Sequence, residues 1–269
     1  MKQPLTIINE PSTNMEVHHH PHVEKKGFKE YFLEFLMIFM AVTLGFFAEN
    51  IREKITEHKR AKIYAGTMVN DLRTDTSSLK YYINYWNYAS NNVDTLFQLL
   101  SKAEPAQIPS GKLYWYGLFG GAPIVFIPDD ATFQEMKSAG ALSYFNNNVA
   151  QKISQYDQLT RRMRVYDDQD QRIFSEVRKL RSQLFYVQFN DQANDVYQSN
   201  RLKPGRNKID SFINSNPPLL STDKTIFNQY LEMVRSRFIP LKARNADTLL
   251  VRATEIIEDL QNEYHLEKK

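Results

Sequence analysis

From Phe35 to Ala48 the chain carries no charged residue, and the wider stretch Tyr31 to Ala48, YFLEFLMIFMAVTLGFFA, has Glu34 as its single charge. A helix over that stretch rises about 27 Å, close to the hydrocarbon thickness of a bilayer. Glu34 falls within the first turn, at headgroup depth, where a carboxylate costs little. Tyr31 and the preceding Lys25, Lys26 and Lys29 make an interface belt. The pattern predicts a transmembrane helix over 31–48 that meets membrane lipid through Tyr31, Phe35, Phe39 and Phe47. A cleaved signal peptide is disfavoured by the long segment ahead of it and by Phe46 and Phe47, where small residues would be required. Ala41 and Gly45 form a small-xxx-small pair, which either lets two such helices approach or arises by chance in a short apolar segment. Basic residues flank the span on both sides, with the larger cluster (Arg52, Lys54, Lys59, Arg60, Lys62) after it, so both orientations stay open.

The rest of the chain is polar enough to hold the mean hydropathy at −0.51, which excludes a multi-span membrane protein. Lys and Arg total 34 against 31 Asp and Glu. That balance lacks the concentrated basic face that nucleic acid requires, so no nucleic-acid partner is expected. There is no cysteine, which excludes disulfides, thiolate nucleophiles and Cys-ligated zinc or iron–sulfur clusters.

Proline and glycine map the elements, because both interrupt regular structure. No proline lies between Pro21 and Pro105 or between Pro128 and Pro204, and glycine is missing from 141–204 and after Gly205. Helices are therefore expected over about 49–103, 147–186 and 223–264, the last kinked at Pro240. In the first, Ala65, Val69, Leu72, Thr76, Leu79, Ile83, Trp86, Ser90, Val93, Phe97 and Leu100 follow steps of four and three, the repeat of coiled-coil packing. Asp75 to Ser78 is the expected kink. The second presents Tyr156, Leu159, Met163, Tyr166, Ile173 and Val177 on one face. The predicted fold is all-α: a transmembrane helix continuing into an up-down-up bundle over 49–269, with a distal connection at 104–146 and a proximal one at 187–222.

Residues 1–30 read as a disordered tail; its cluster His18, His19, His20 and His22 either binds a transition metal or has only the adventitious affinity of a solvated tail, and no cofactor is expected. Leu113 to Pro128 is uncharged but broken by Gly117, Gly120, Gly121 and Pro123. Trp115, Tyr116, Phe119 and Phe126 thus form either a partner surface or a cap folded over the bundle end. If the second connection is membrane-proximal, Arg201, Lys203, Arg206 and Lys208 either meet anionic headgroups or form a solvated basic turn. The aromatic set Tyr81, Tyr82, Tyr85, Trp86 and Tyr88 suits stacking on sugars or bases, or plain core packing.

Catalytic motifs are missing. Gly117-x-x-Gly120-Gly121 lacks the Lys-Ser/Thr of a phosphate loop, and neither His-Glu-x-x-His nor Gly-x-Ser-x-Gly occurs. Asp129 with Asp130, and Asp167 with Asp168 and Asp170, read as solvated surface acids, and His58 and His265 as surface histidines. No enzyme is expected.

Phe32-Leu33-Glu34-Phe35 through Ala48-Glu49-Asn50, Asp71-Leu72 with Asp75, and Thr132-Phe133-x-Glu135-Met136-Lys137-x-x-Gly140 followed by Tyr156 resemble a family of uncharacterised single-pass proteins, a domain of unknown function common in Bacteroidota. The resemblance covers about half the chain. It implies a bacterial inner-membrane protein and supplies no activity. Locally, Asp130 or Thr132 is placed to cap a short helix carrying Phe133 and Met136, with Gly140 as its stop. The expected role is an interaction or scaffolding module that binds another protein or its own copy; the alternative is a ligand-binding bundle of sensor type acting with a partner.

Overall fold

A computed structural model describes residues 27–121, 125–202, 205–238 and 240–267, the side chain of Arg206 apart. The chain divides between Ile55 and Thr56. Helix α1 (Phe28–Lys102) belongs to both parts. In the first, α1 is long and apolar enough to cross a membrane, and none of its most apolar window is buried in protein. Tyr31, Phe35, Phe39 and Phe47 are all exposed. So are Ala41 and Gly45, and a Cβ built on Gly45 would meet nothing. The Thr43 hydroxyl donates to the Phe39 carbonyl at 2.7 Å, which satisfies it within the helix. The His18–His22 cluster lies outside the described residues.

The second part, from Thr56, is an all-α bundle, as expected, and no strand forms among the described residues. Its elements are the remainder of α1, α2 (Ser110–Leu118), α3 (Ala131–Ser138), α4 (Asn147–Leu184), α5 (Val187–Leu202), α6 (Arg206–Ile213), α7 (Lys224–Arg237) and α8 (Pro240–Tyr264). Local signals set their ends. The Asn146 side chain accepts from the Val149 amide, and Asp223 accepts from the amides of Thr225 and Ile226, each satisfying a first-turn donor. Gly140, at φ +68°, stops the α3 segment in the left-handed region that favours glycine. Pro240 does more than kink the last helix: it separates α7 from α8 and stands at the first position of α8, where its missing N–H costs nothing. Asp75 to Ser78 does not interrupt α1; the hydroxyls of Thr74, Thr76 and Ser77 bond carbonyls within the same helix instead.

The buried stripe of α1 runs through Ala65, Met68, Val69, Leu72, Asp75, Leu79, Tyr82, Ala89, Val93 and Leu96. It shares Ala65, Val69, Leu72, Leu79 and Val93 with the expected seam. At alternate steps it lies one residue earlier, taking Asp75 and Tyr82 where hydropathy selects Thr76 and Ile83. The stripe of α4 is likewise interrupted by acids, through Tyr156, Thr160, Met163, Asp167, Asp170 and Val177.

The route between the long helices corrects the placement of both connections. The Asp75 carboxylate meets the Tyr156 hydroxyl at 2.6 Å, and Asp167 and Asp170 of α4 lie by Tyr82 of α1, so α1 and α4 run in the same direction. Contacts of α4 with the last two helices run oppositely: Asp170 with Arg237, the Leu159 carbonyl with Asn245, Lys152 with Asp259. The 104–146 connection is therefore a crossover. It starts beside Lys224, where Glu104 lies 2.5 Å away, and returns along α1 until Glu135 accepts from Tyr64 at 3.2 Å. The 187–222 connection sits at the end where α1 finishes. There Ser110 and Tyr114 of α2 bond Asn216 and Pro218, and the Tyr186 amide donates to the Tyr114 hydroxyl. Close approach needs glycine here: a Cβ on Gly111 would run into the Phe212 carbonyl oxygen.

Candidate functional site

The acids of α4 are not all surface groups. Asp168 is exposed, as are Asp129, His58 and His265, but Asp167 and Asp170 are each 5 % exposed and face two buried cations, Arg237 (4 %) and Lys242 (2 %). The reason is spacing: 167 and 170, three apart, share the inward face of α4, whereas 168 turns away. Arg237, the last residue of α7, donates Nε to Asp170 Oδ1 at 2.7 Å and Nη2 to Oδ2 at 3.1 Å, the two-pronged geometry of a strong ion pair. Its Nη1 also donates to the Gly120 carbonyl. Lys242, in the first turn of α8, lies 2.8 Å from Asp167 Oδ1 and 3.6 Å from Asp170 Oδ2. Two carboxylates thus meet two cations across the helix break at Pro240. The break lets residues from both sides of it reach one face of α4.

This cluster also fixes the crossover. Asp167 Oδ2 accepts from the Phe126 amide at 3.2 Å, and Asp75 Oδ1 accepts from the Asp129 amide at 2.7 Å. The Thr132 amide, in the first turn of α3, donates to Asp71 Oδ2 at 3.2 Å, so an acid of α1 serves where a cap from Asp130 was expected. Phe133 and Met136 are buried, as their spacing predicts. Burial pushes the carboxyls of Asp75 and Asp167 above the usual carboxylate range. The Tyr156 hydroxyl opposes the rise at Asp75, and Lys242 opposes it at Asp167.

Against this held segment lies a cleft of about 690 Å³. From α1 come Ser77, Ser78, Tyr81, Tyr82 and Tyr85. Val125, Phe126 and Ile127 form one wall; Tyr197, Gln198 and Arg201 of α5 form the other. Among the described residues that line it there is no carboxylate. Tyr85 and Tyr197 also line two smaller adjoining depressions, one with Asn84, Tyr88 and Asn200, the other with Asn190 and Asn194. The rings of Tyr81 and Tyr85 are parallel within 7°, and the Arg201 guanidinium reaches the Tyr81 hydroxyl at 3.4 Å.

The structure sorts the remaining sequence candidates. Trp115, Phe119 and Phe126 are buried and Tyr116 is half-buried, while Val125 and Ile127 of the same uncharged stretch stay exposed. Phe119 packs edge-on against Tyr88, Trp115 and Tyr197 and so fixes one wall of the cleft. Gly120 is required there, since its Cβ would approach Val234 to 2.5 Å. The expected basic turn is not at the end where α1 enters the bundle. Arg201 sits beside Tyr81, twenty residues or about 30 Å of helix beyond Ala61, the first buried residue of α1. Lys208 is exposed on α6; Lys203 and the Arg206 side chain lie outside the described residues.

Hydropathy missed Asp167, Asp170, Arg237 and Lys242. A signal was present: the apolar seam of α4 skips from Tyr166 to Ile173, and Asp170 stands at the inward position between them, with Asp167 next to Tyr166. No protein-family model matches this sequence, and searches of curated proteins and of solved structures return no match.

Proposed function

We propose that the chain is a membrane-anchored recognition protein rather than an enzyme, and that its bundle captures a ligand or partner in the cleft between α1 and α5. The cleft is the observation that carries this reading. It combines exposed aromatic area with hydroxyl and amide groups, the composition of recognition surfaces, and its volume is that of a ligand site. Of the residues first considered as a partner surface, Trp115 and Phe119 are buried, Tyr116 is half-buried and Phe126 belongs to the cleft wall, so recognition falls to the cleft. No carboxylate is among the described residues that line the cleft, and Asp167 and Asp170 behind its wall are committed to Arg237 and Lys242, which argues against general acid–base chemistry there. The same reading places the apolar segment of α1 in a bacterial inner membrane, the location implied by the resemblance to the Bacteroidota single-pass proteins.

A photo-crosslinking residue at Tyr81, in the full-length protein in its cell membrane, tests the reading. The control carries the same residue at Lys137, exposed on α3 and outside the cleft. Adducts formed at position 81 and not at 137 are expected. Identical patterns, or none at either position, would overturn the reading.

A further inference from the structure

We infer that the occupant of the cleft is a neutral carbohydrate, a glycan segment of two or three sugar units; this rests on the reading of the cleft as the recognition site. The first argument is hydrogen-bond type. Every sugar hydroxyl both donates and accepts, so it pairs best with groups that do the same. Ser78, Tyr81, Tyr197 and Gln198 can all both donate and accept, whereas Ser77 donates to the Arg73 carbonyl and is left to accept; the adjoining depressions add Asn84, Asn194 and Asn200, beside Arg181 and Asp191. Tyr82 lines the cleft while only 2 % exposed, and its hydroxyl, close to Asp167 and Asp170, has no accessible surface, so what it offers an occupant is ring area and not a hydrogen bond.

The second argument is shape and aromatic character. Sugar rings present C–H faces that pack on aromatic rings, and Tyr81 and Tyr85 offer parallel rings on successive turns of α1, with Tyr81 58 % exposed. Other ligand classes fit less well. A nucleic acid strand needs several cations along its path, and Arg201 is the single charged residue among those lining the cleft. An amphipathic helix needs a run of apolar pockets. Among the described residues the apolar wall consists of Val125, Phe126 and Ile127, opposite hydroxyls and an amide.

The test uses the full-length chain in lipid nanodiscs, because glycoside detergents would themselves compete. Thermal shift and isothermal calorimetry are run with maltose, cellobiose and diacetylchitobiose. A separate arm pulls down insoluble chitin, cellulose and peptidoglycan. Binding in the first arm marks a free oligosaccharide as the source; binding confined to the second marks a polymer chain. Either supports the inference if Tyr81→Ala and Gln198→Ala weaken it by about fivefold or more while Tyr81→Phe retains the stacking and most of the affinity. Tyr81 and Gln198 are both exposed, so the unliganded variants should melt with wild type, which separates lost binding from lost folding. Binding indifferent to Tyr81→Ala overturns the carbohydrate assignment at this cleft. So does failure of every probe while the crosslinker at position 81 still yields a specific protein adduct, which leaves the recognition reading standing. Failure of every probe with no adduct removes both.

Discussion

Replacing Arg237 with Met tests whether the ion cluster holds the bundle together. The side chain is 2 % exposed and its partner Asp170 is 6 % exposed, so solvent cannot take over the lost contacts. The substitution keeps most of the volume and, among the described residues, removes two hydrogen bonds to Asp170 and one to the Gly120 carbonyl. Removing one member of a buried pair costs about 3–5 kcal/mol, because the other charge is left unpaired in a dry site. Lys242 lies 3.6 Å from Asp170 Oδ2 and offsets part of that cost, while the orphaned carbonyl adds to it. The net expectation is about 3–4 kcal/mol, or roughly 10 °C in melting temperature for a bundle of this size. Urea and thermal unfolding followed by circular dichroism measure it. The double variant Arg237→Met with Asp170→Leu removes both charges and should recover most of the loss, since an apolar pair of similar volume replaces a buried ion pair at little cost. A loss below about 1 kcal/mol in the single variant would mean that the cluster is wet. No recovery in the double variant would mean that the cost is packing rather than an unpaired charge.

Three further outcomes follow from the same contacts. Tyr64→Cys with Glu135→Cys, in a chain without native cysteine, should be joined by a short bismaleimide, because the two side chains meet at 3.2 Å; absence of the crosslink would refute the crossover route. Gly111→Ala should destabilise by about 1–3 kcal/mol through its collision with the Phe212 carbonyl, and an unchanged melting temperature would contradict the packing of α2 on α6. Asp75 has its proton affinity raised by burial and by nearby Asp129 and Asp71, against Tyr156 and the Asp129 amide. The folded state therefore holds that proton more tightly than the unfolded chain. Its contribution to stability is fullest below the ordinary carboxylate pKa and is lost as pH rises through the raised one. Asp75→Asn should accordingly gain on wild type as pH climbs through the acidic range, read from urea midpoints; parallel curves would sink the assignment.

The long helices were legible because their signals are local. Glycine and proline spacing marked them, Asn146 and Asp223 cap two of them, and Gly140 stops a third segment. Connection placement was not legible. Equal helix lengths suggested alternation, whereas the path is set by Asp71 and Asp75 accepting from backbone amides of the 125–132 segment, contacts that no periodicity reveals. The cleft was half legible. Tyr81, Tyr82, Tyr85 and Tyr88 stood out as a cluster, but hydropathy discarded the aspartates that align the opposite wall. A charge is read as solvated until its counter-charge is known, and Arg237 and Lys242 lie about seventy residues away in sequence.

The most direct test of the account is partition of the full-length protein between membrane and soluble fractions after alkaline carbonate washing, beside a variant with Phe35, Phe39 and Phe47 all changed to Asp. The apolar segment of α1 predicts that the wild-type chain stays with the membrane and that the variant, paying about 2.5–3.5 kcal/mol for a charge near the helix centre, is released. Release of the wild-type chain would contradict the account at its base.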